Sequence, residues 1–173
     1  MNYVLLGYMG SGKSAVGRGL SKVLQRPFID LDARIEELEN CSISDLFQNK
    51  GEIYFRKREA AILFELLETH QDFILATGGG TPCYGTVMDQ LLAQADTKTM
   101  YLKHDVDSLT AHLFPEREKR PLIAHLESEE LLNEFIRKHL FERGFYYNRA
   151  EWILDCSGLS VDEVVEQIVL QLF

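Results

Sequence analysis

The segment that most constrains this chain is residues 7–14, GYMGSGKS, which matches the pattern GxxxxGK[ST]. It stands between residues 3–6, an apolar run typical of a buried strand, and residues 13–24, whose pattern predicts a helix. In such a setting, glycines let backbone amides turn onto phosphate groups, and the start of the helix adds positive potential. The alternative is a glycine-rich turn with a solvated lysine. Motif and context together predict a nucleotide-binding loop in which Lys13 reaches the phosphates and Ser14 ligates Mg²⁺.

Short apolar runs alternate with longer amphipathic segments along the chain, which is the pattern of β-α units packed on a parallel sheet. Five strands are predicted, at residues 3–6, 27–30, 73–76, 99–102 and 152–154. The predicted helices lie at residues 13–24, 32–39, 42–49, 53–69, 86–94, 106–114 and 131–147, with a last helix after Ser160. We therefore predict one α/β domain over residues 1–173, a three-layer α/β/α sandwich around a five-stranded parallel sheet. Periodicity does not fix the order of the strands.

Composition narrows the possible partners and compartments. The 18 Lys and Arg against 27 Asp and Glu give a net charge of −9, which disfavours broad binding to nucleic acid or anionic membranes. No apolar run approaches the roughly 18 residues of a membrane span. Three well-separated cysteines, Cys41, Cys83 and Cys156, lack CxxC spacing and indicate reduced thiols in a cytoplasmic protein. The five histidines form no HxH or HExxH pair, so a transition-metal site has little support.

Two carboxylates follow the second predicted strand, in the segment FIDLD. In an extended segment, Asp30 and Asp32 would point to the same side, beside the phosphate loop. There, one carboxylate could support a metal and the other could accept a proton from a hydroxyl group of an acceptor. The alternative is that Asp32 is an N-cap and Asp30 a turn residue. The pair alone does not decide between these interpretations.

Arginines and a glycine run could form a pocket for a small acid. Arg56 lies in a basic cluster, FRKRE, and Arg143 lies between two phenylalanines. Each of these two arginines could instead belong to a solvated face. Two converging arginines would match the planar fork of a carboxylate. The glycines of residues 78–80 would let a ligand pack directly on backbone, although they could be only a loop. Arg120, beside Pro121, could fold over a transferring phosphate.

Taken together, the segments GYMGSGKS, FIDLD, FRKRE, GGG, RPL and RGFYY resemble the shikimate kinase family in order and in chain length. The resemblance spans nearly the whole chain, from residue 3 to residue 147. It implies a P-loop kinase that transfers the γ-phosphoryl group of ATP to the 3-hydroxyl group of shikimate, in the pathway to chorismate and aromatic amino acids. It also implies a substrate-binding helical excursion at about residues 32–62 and a short lid at about residues 112–126. We expect a cytoplasmic monomer without nucleic-acid or membrane partners.

The resemblance also implies roles on the nucleotide side. The phosphate loop would comprise Gly10, Ser11, Gly12, Lys13, Ser14 and Ala15. Ser14 would be a ligand of Mg²⁺, and Asp30 would support the ion through water. Arg120 would be the lid residue on the phosphates, and Lys13, Asp32 and Arg120 would be the catalytic side chains.

On the acceptor side, the resemblance places shikimate between the two arginines. Arg56 and Arg143 would hold its carboxylate, and Gly79 would line the same pocket. Asp32 would bind the hydroxyl groups of shikimate near the attacking oxygen. Glu59 would orient Arg56 or a hydroxyl group.

The sequence departs from the family pattern at the adenine contacts. Many relatives carry an arginine in the lid and another after the last strand, whereas the comparable stretches here are residues 112–114, HLF, and 157–159, SGL. Leu113 or Phe114 is the alternative apolar face for the base. The alternatives to a shikimate kinase are a gluconate kinase, a nucleoside monophosphate kinase, and a non-catalytic module that senses ATP.

Overall fold

The computed structural model describes all residues, 1–173, and has a five-stranded parallel sheet at its centre. Its strands are β1 (Asn2–Leu6), β2 (Phe28–Asp30), β3 (Ile74–Ala76), β4 (Thr97–Lys103) and β5 (Trp152–Asp155). They lie in the order β2-β3-β1-β4-β5, and every neighbouring pair is parallel. The predicted α/β architecture is confirmed, and the structure supplies the strand order that periodicity left open.

Seven helices connect and cover the strands. They are α1 (Lys13–Leu24), α2 (Leu31–Glu39), α3 (Ile43–Thr69), α4 (Val87–Leu92), α5 (Val106–Leu113), α6 (Glu129–Tyr147) and α7 (Val161–Leu172). Short 3₁₀ turns span Thr81–Cys83 and Phe114–Lys119. The predicted capping box is present, because Ser160 accepts from the Glu163 amide while the Glu163 side chain accepts from the Ser160 amide. None of these helices is both long and apolar enough to cross a membrane.

The sheet is buried on both faces, which explains why its central strand reads as an unbroken apolar run. Side chains alternate between faces along a strand. Leu5 therefore belongs to the core that α1 and α7 cover, whereas Val4 and Leu6 belong to the larger core under α3, α5 and α6. All three are completely buried. Helices on both faces of the sheet give the three predicted layers.

The strand order brings the predicted chemistry to one edge of the sheet. The neighbours β2, β3 and β1 end in register, with Asp30 beside Ala76 and Ala76 beside Leu5. Because the strands are parallel, their carboxyl ends meet at this edge. Asp30, at the end of β2, therefore lies beside the segments that follow β3 and β1, the glycine run and the phosphate loop.

A kink in α3 separates its two halves at Gly51. The backbone there has φ 81° and ψ 169°, a combination that is essentially restricted to glycine. Ser42 caps the first half by accepting from the Asp45 amide, and the second half carries Arg56 and Glu59. The break between the predicted helices at residues 42–49 and 53–69 thus lies where it was expected. The kink sets the direction from which the second half approaches the site.

The kink predicts opposite effects for two glycine substitutions. Gly51→Ala should lower the free energy of unfolding by about 1–3 kcal/mol, because a Cβ makes this backbone conformation unfavourable. Gly144→Ala, inside α6, should raise it by roughly 0.5–1 kcal/mol, because alanine favours helix. A Cβ meets nothing within 4 Å at Gly51 and only Asn148, at 3.6 Å, at Gly144, so packing does not obscure the comparison. Urea denaturation measures both, and equal effects of the same sign would contradict the prediction.

Candidate active site

Lys13 folds back onto the phosphate loop and bonds to the backbone of the same loop. Lys13 Nζ donates to the carbonyl oxygens of Gly7 at 2.8 Å and Tyr8 at 2.9 Å. Its side chain is almost fully buried. Burial lowers the pKa of Lys13 to about 8, although Asp32 and Asp30 oppose the shift. A bound triphosphate would offer acceptors of opposite charge to an ammonium group that already lies dehydrated in the loop.

Asp30 links the phosphate loop to the start of α2. Its Oδ2 accepts from the Ser14 hydroxyl at 2.5 Å, and its Oδ1 accepts from the amides of Asp32 at 3.1 Å and Ala33 at 3.4 Å. The N-cap of α2 is therefore Asp30, not Asp32 as in the alternative interpretation of the sequence. One carboxylate caps a helix and also places its second oxygen on the predicted magnesium ligand.

Asp32 lies in a second, more buried carboxylate cluster. It occupies the first turn of α2, and its Oδ1 lies against Gly78 beside Glu59 Oε1. Burial, followed by the charges of Glu59 and Asp30, raises the pKa of Asp32 to about 6 against the opposing effects of Lys13 and Arg56. Glu59 is 2% exposed, and its two oxygens accept from Arg56 Nη1 at 2.8 Å and Thr81 Oγ1 at 2.6 Å. The structure thus places Glu59 where it orients Arg56.

The glycine run forms the floor on which these groups meet. A Cβ built on Gly78 would lie 2.9 Å from Asp32 Oδ1, and one on Gly80 would lie 2.6 Å from Arg56 Nη2. At Gly79 it would lie 3.5 Å from Arg143 Nη1 and 3.2 Å from the Met9 amide of the phosphate loop. Side chains at the first and last positions would displace the carboxylate or the guanidinium group. The absence of three side chains therefore allows both arginines and a carboxylate to approach one stretch of backbone.

Arg56 is fixed by its neighbours. Its guanidinium carbon lies 4.1 Å from the Tyr84 ring centre and 5.0 Å from that of Phe55, and Nη1 is paired with Glu59. The Tyr84 hydroxyl donates to Glu52, which itself lies 3.9 Å from Arg56 Nε. Arg56 Nε is buried and has no hydrogen-bond partner in the protein. The guanidinium group thus keeps donor capacity for an acidic ligand.

Arg143 reaches the same floor from α6. Its guanidinium carbon lies 5.9 Å from the ring centre of Tyr8, whose hydroxyl is hydrogen-bonded to His139 Nδ1 at 2.8 Å. Burial, followed by the Arg143 charge, lowers the pKa of His139 to about 4, so the imidazole is neutral at neutral pH. Arg143 and Arg56 lie against successive glycines, Gly79 and Gly80. The two arginines therefore converge, as the sequence hypothesis required.

The predicted lid contains two arginines. Arg120 is partly exposed to solvent, and Arg117 is one that the sequence hypothesis did not identify. Arg120 is 36% exposed and pairs with Glu116 at 3.4 Å. Arg117 lies over the Phe114 ring, 4.2 Å from its centre, and donates to the Phe114 carbonyl at 3.1 Å. The predicted lid segment therefore does contain an arginine besides Arg120, in the 3₁₀ turn rather than at residues 112–114.

The suggestion that Leu113 presents an apolar face to the base is wrong. Leu113 is completely buried, and its Cδ2 would lie 2.7 Å from a Cβ on Gly10. It packs beneath the phosphate loop instead. The pattern at residues 112–114 could not show this, because the contact joins positions about a hundred residues apart.

Three further residues of the site were not identified from the sequence. Thr81 donates to Glu59, Tyr84 covers Arg56, and the hydroxyl of the buried Tyr147 donates to the carbonyl of Gly79. Thr81 directly follows the glycine run and Tyr147 ends the RGFYY segment, so both lay beside motifs that were recognised. For Tyr84 we find no comparable signal.

Comparison with known proteins identifies the family. The family model described as "Shikimate kinase" matches residues 9–173. The chain belongs to the shikimate kinase family. The shikimate kinase of Flavobacterium johnsoniae is 47% identical over 166 residues, which cover 96% of this chain and 95% of that protein.

Solved structures of shikimate kinases agree with this assignment. The structure from Bacteroides thetaiotaomicron superposes with a TM-score of 0.90 at 30% identity, covering 99% of this chain and 98% of the other. The shikimate kinase from Acinetobacter baumannii, solved in complex with shikimate, superposes with a TM-score of 0.86 at 29% identity, covering 99% and 92% of the two chains. The predicted shikimate kinase family and its P-loop kinase fold are confirmed.

The raised pKa of Asp32 predicts a pH-dependent stability difference. Asp32 ionises near 3.8 in the unfolded chain but near 6 in the folded protein, so the wild type loses stability as the pH rises through this window. Asp32→Asn removes that loss and should therefore be more stable than the wild type at pH 8 by roughly 1–3 kcal/mol. The difference should shrink toward pH 4. Urea denaturation at both pH values measures it, with Glu127→Gln, an exposed carboxylate, as control. A pH-independent difference would contradict the assignment.

Proposed function

We propose that this chain transfers the γ-phosphoryl group of ATP to the 3-hydroxyl group of shikimate, giving shikimate 3-phosphate and ADP in the pathway to chorismate. The observation that carries the proposal is the convergence of Arg56 and Arg143 on a glycine run that also touches the phosphate loop. Paired guanidinium groups suit a carboxylate, and a phosphate loop suits a nucleotide. The two substrates would thus meet over the same backbone.

The nucleotide side has the groups that Mg²⁺ requires. Mg²⁺ prefers oxygen ligands and keeps several waters. The hydroxyl of Ser14 and the carboxylate of Asp30 lie together beside the phosphate loop, and both are oxygen donors. Ser14 would hold the ion directly and Asp30 through water. When bound, the ion neutralises charge on the β- and γ-phosphate oxygens.

The acceptor side would fix the acid by its carboxylate and its hydroxyl groups. Glu59 and Tyr84 hold Arg56 in place, so little conformational freedom remains for this arginine to lose on binding. Asp32 lies at the other end of the same glycine run, where it would accept a hydrogen bond from the attacking hydroxyl. Its pKa of about 6 makes it a better proton acceptor than an ordinary aspartate while leaving it ionised at neutral pH.

Transfer itself would depend mainly on cations near the γ-phosphoryl oxygens. Lys13 lies in the loop, and the charge of Arg120 is close enough to lower the pKa of Lys13. The contact of Arg120 with Glu116 is long and exposed, so it costs little to exchange for a phosphate. Movement of the proposed lid would bring Arg120 onto the phosphates and keep water from acting as the acceptor.

The proposal includes a cytoplasmic monomer. All three cysteines are free thiols, which suits a reducing compartment.

An acceptor comparison tests the proposal. ADP release with MgATP should be fast with shikimate and near background with gluconate, with AMP, or without an acceptor. Preference for gluconate would indicate a sugar-acid kinase, and preference for AMP a nucleotide kinase. ATP binding without ADP release for any acceptor would indicate a non-catalytic sensor. Each of these three results would overturn the proposal.

Arg143→Ala should mainly weaken acid binding. Removing one partner of a desolvated charge pair costs about 2–5 kcal/mol, so the KM for shikimate should rise by more than an order of magnitude. The KM for ATP should change far less. Arg137→Ala is the matched control, because Arg137 lies on the same helix but is exposed and donates its side-chain hydrogen bond to Asn133, away from the site. Steady-state kinetics in both substrates measure the effect, and a normal KM for shikimate would remove Arg143 from the pocket.

A further inference from the structure

His104 connects the end of β4 to the phosphate loop. It is the first residue after the strand, is 7% exposed, and places Nε2 at 3.2 Å from the carbonyl oxygen of Ser11. A carbonyl oxygen only accepts hydrogen bonds, so Nε2 must carry the hydrogen. The contact bridges 93 residues of sequence. It is not part of the phosphate-loop motif.

Ser11 is held on three sides, and His104 supplies one of them. The Ser11 amide donates to the Tyr8 carbonyl at 3.2 Å, and the Ser11 hydroxyl lies 3.4 Å from Lys13 Nζ. The side chain is 4% exposed. Together with the bond from His104, these contacts fix the orientation of the peptide group between Ser11 and Gly12.

That orientation determines where the next amide points. In a planar trans peptide, the C=O and N–H groups point in opposite directions. Because His104 holds the Ser11 carbonyl toward the protein interior, the Gly12 N–H points away from it. A Cβ on Gly12 would meet nothing within 4 Å, so no other part of the protein packs against this residue on the side of its Cβ position. The N–H is thus available to an anionic oxygen.

We propose that His104 is a positioning residue for the phosphates of the nucleotide, acting by holding the Ser11–Gly12 peptide so that the Gly12 N–H faces them. The inference rests on the proposed binding of ATP at this loop, but not on the identity of the acceptor. It assigns to the ring a function besides filling space at the end of β4. The function requires a donor at the position of Nε2.

The surroundings of His104 fit a neutral ring with one donor. Nδ1 is buried and has no hydrogen-bond partner, and the ring of His112 packs at 5.6 Å between centres with an interplanar angle of 71°. Burial, followed by His112, lowers the pKa of His104. A hydrogen on Nδ1 would be buried without an acceptor, so the tautomer that donates from Nε2 is the one that suits the site.

This role is tested by one substitution that keeps a ring but removes the hydrogen-bond donor and by another that keeps a donor but removes the ring. His104→Phe keeps a ring but removes the donor, and should weaken ADP binding about five- to tenfold, as expected for one lost hydrogen bond. His104→Gln has an amide N–H near the position of Nε2 and should bind ADP within about twofold of the wild type. Adenosine, which has no phosphate, should bind all three proteins equally. Calorimetry measures each affinity, and His70→Gln, on an exposed histidine, is the control.

Binding of ADP separates this inference from the proposed acceptor, because it can be measured whatever acid the enzyme uses. Wild-type affinity for ADP in His104→Phe would overturn the inference, as would an equal loss in His104→Gln. Weaker binding of adenosine to the same degree would indicate a distorted site and would also overturn it. If His104→Phe does not fold, His104→Asn, whose amide is too short to reach Ser11, should show the same selective loss beside His104→Gln.

Discussion

The close approach of charged side chains to the bare backbone of residues 78–80 is the constraint on which the site depends. Two guanidinium groups and two carboxylates lie against three consecutive residues, and a Cβ at Gly78 or Gly80 would displace the charged group beside it. Charges this close stabilise one another only in a definite arrangement, here with Glu59 paired to Arg56 and Arg143 lying over the Tyr8 ring. In the proposed complex, a carboxylate ligand would complete this arrangement because it would add negative charge between the two arginines.

Dehydration is the second property of the site. The pKa of Lys13 is lowered and that of Asp32 is raised, and burial is the largest cause of both shifts. Both shifts show that burial destabilises the charged form of each group, so keeping these charges in the site costs free energy. In the proposed complex, the triphosphate would provide the opposite charge beside Lys13. The same features that make the free protein less stable therefore strengthen electrostatic interactions with its ligands.

The sequence predicted those parts of the site that are local. The phosphate loop, the FIDLD carboxylates and the glycine run are contiguous segments whose chemistry can be inferred from spacing and from the strands that precede them. The parts that it did not predict depend on pairs of residues distant along the chain. Thr81 reaches Glu59 across 22 residues, and His104 reaches Ser11 across 93. Such contacts depend on the order of the strands, and this order cannot be inferred from the periodicity of side chains along the sequence.

Two contacts of the phosphate loop join the nucleotide site to the rest of the proposed mechanism. The Tyr8 hydroxyl is bonded to His139, one turn before Arg143 on α6, so the loop and the acid-binding arginine share one support. Leu113 packs in the space beside Gly10 at the start of the proposed lid. Ile123, after the 3₁₀ turn, is completely buried like Leu113 before it. The 3₁₀ turn between these two residues contains no buried residue. The proposed lid is thus anchored at two points, one of them on the phosphate loop. Contacts of this loop therefore support both the segment that carries Arg120 and the helix that carries Arg143.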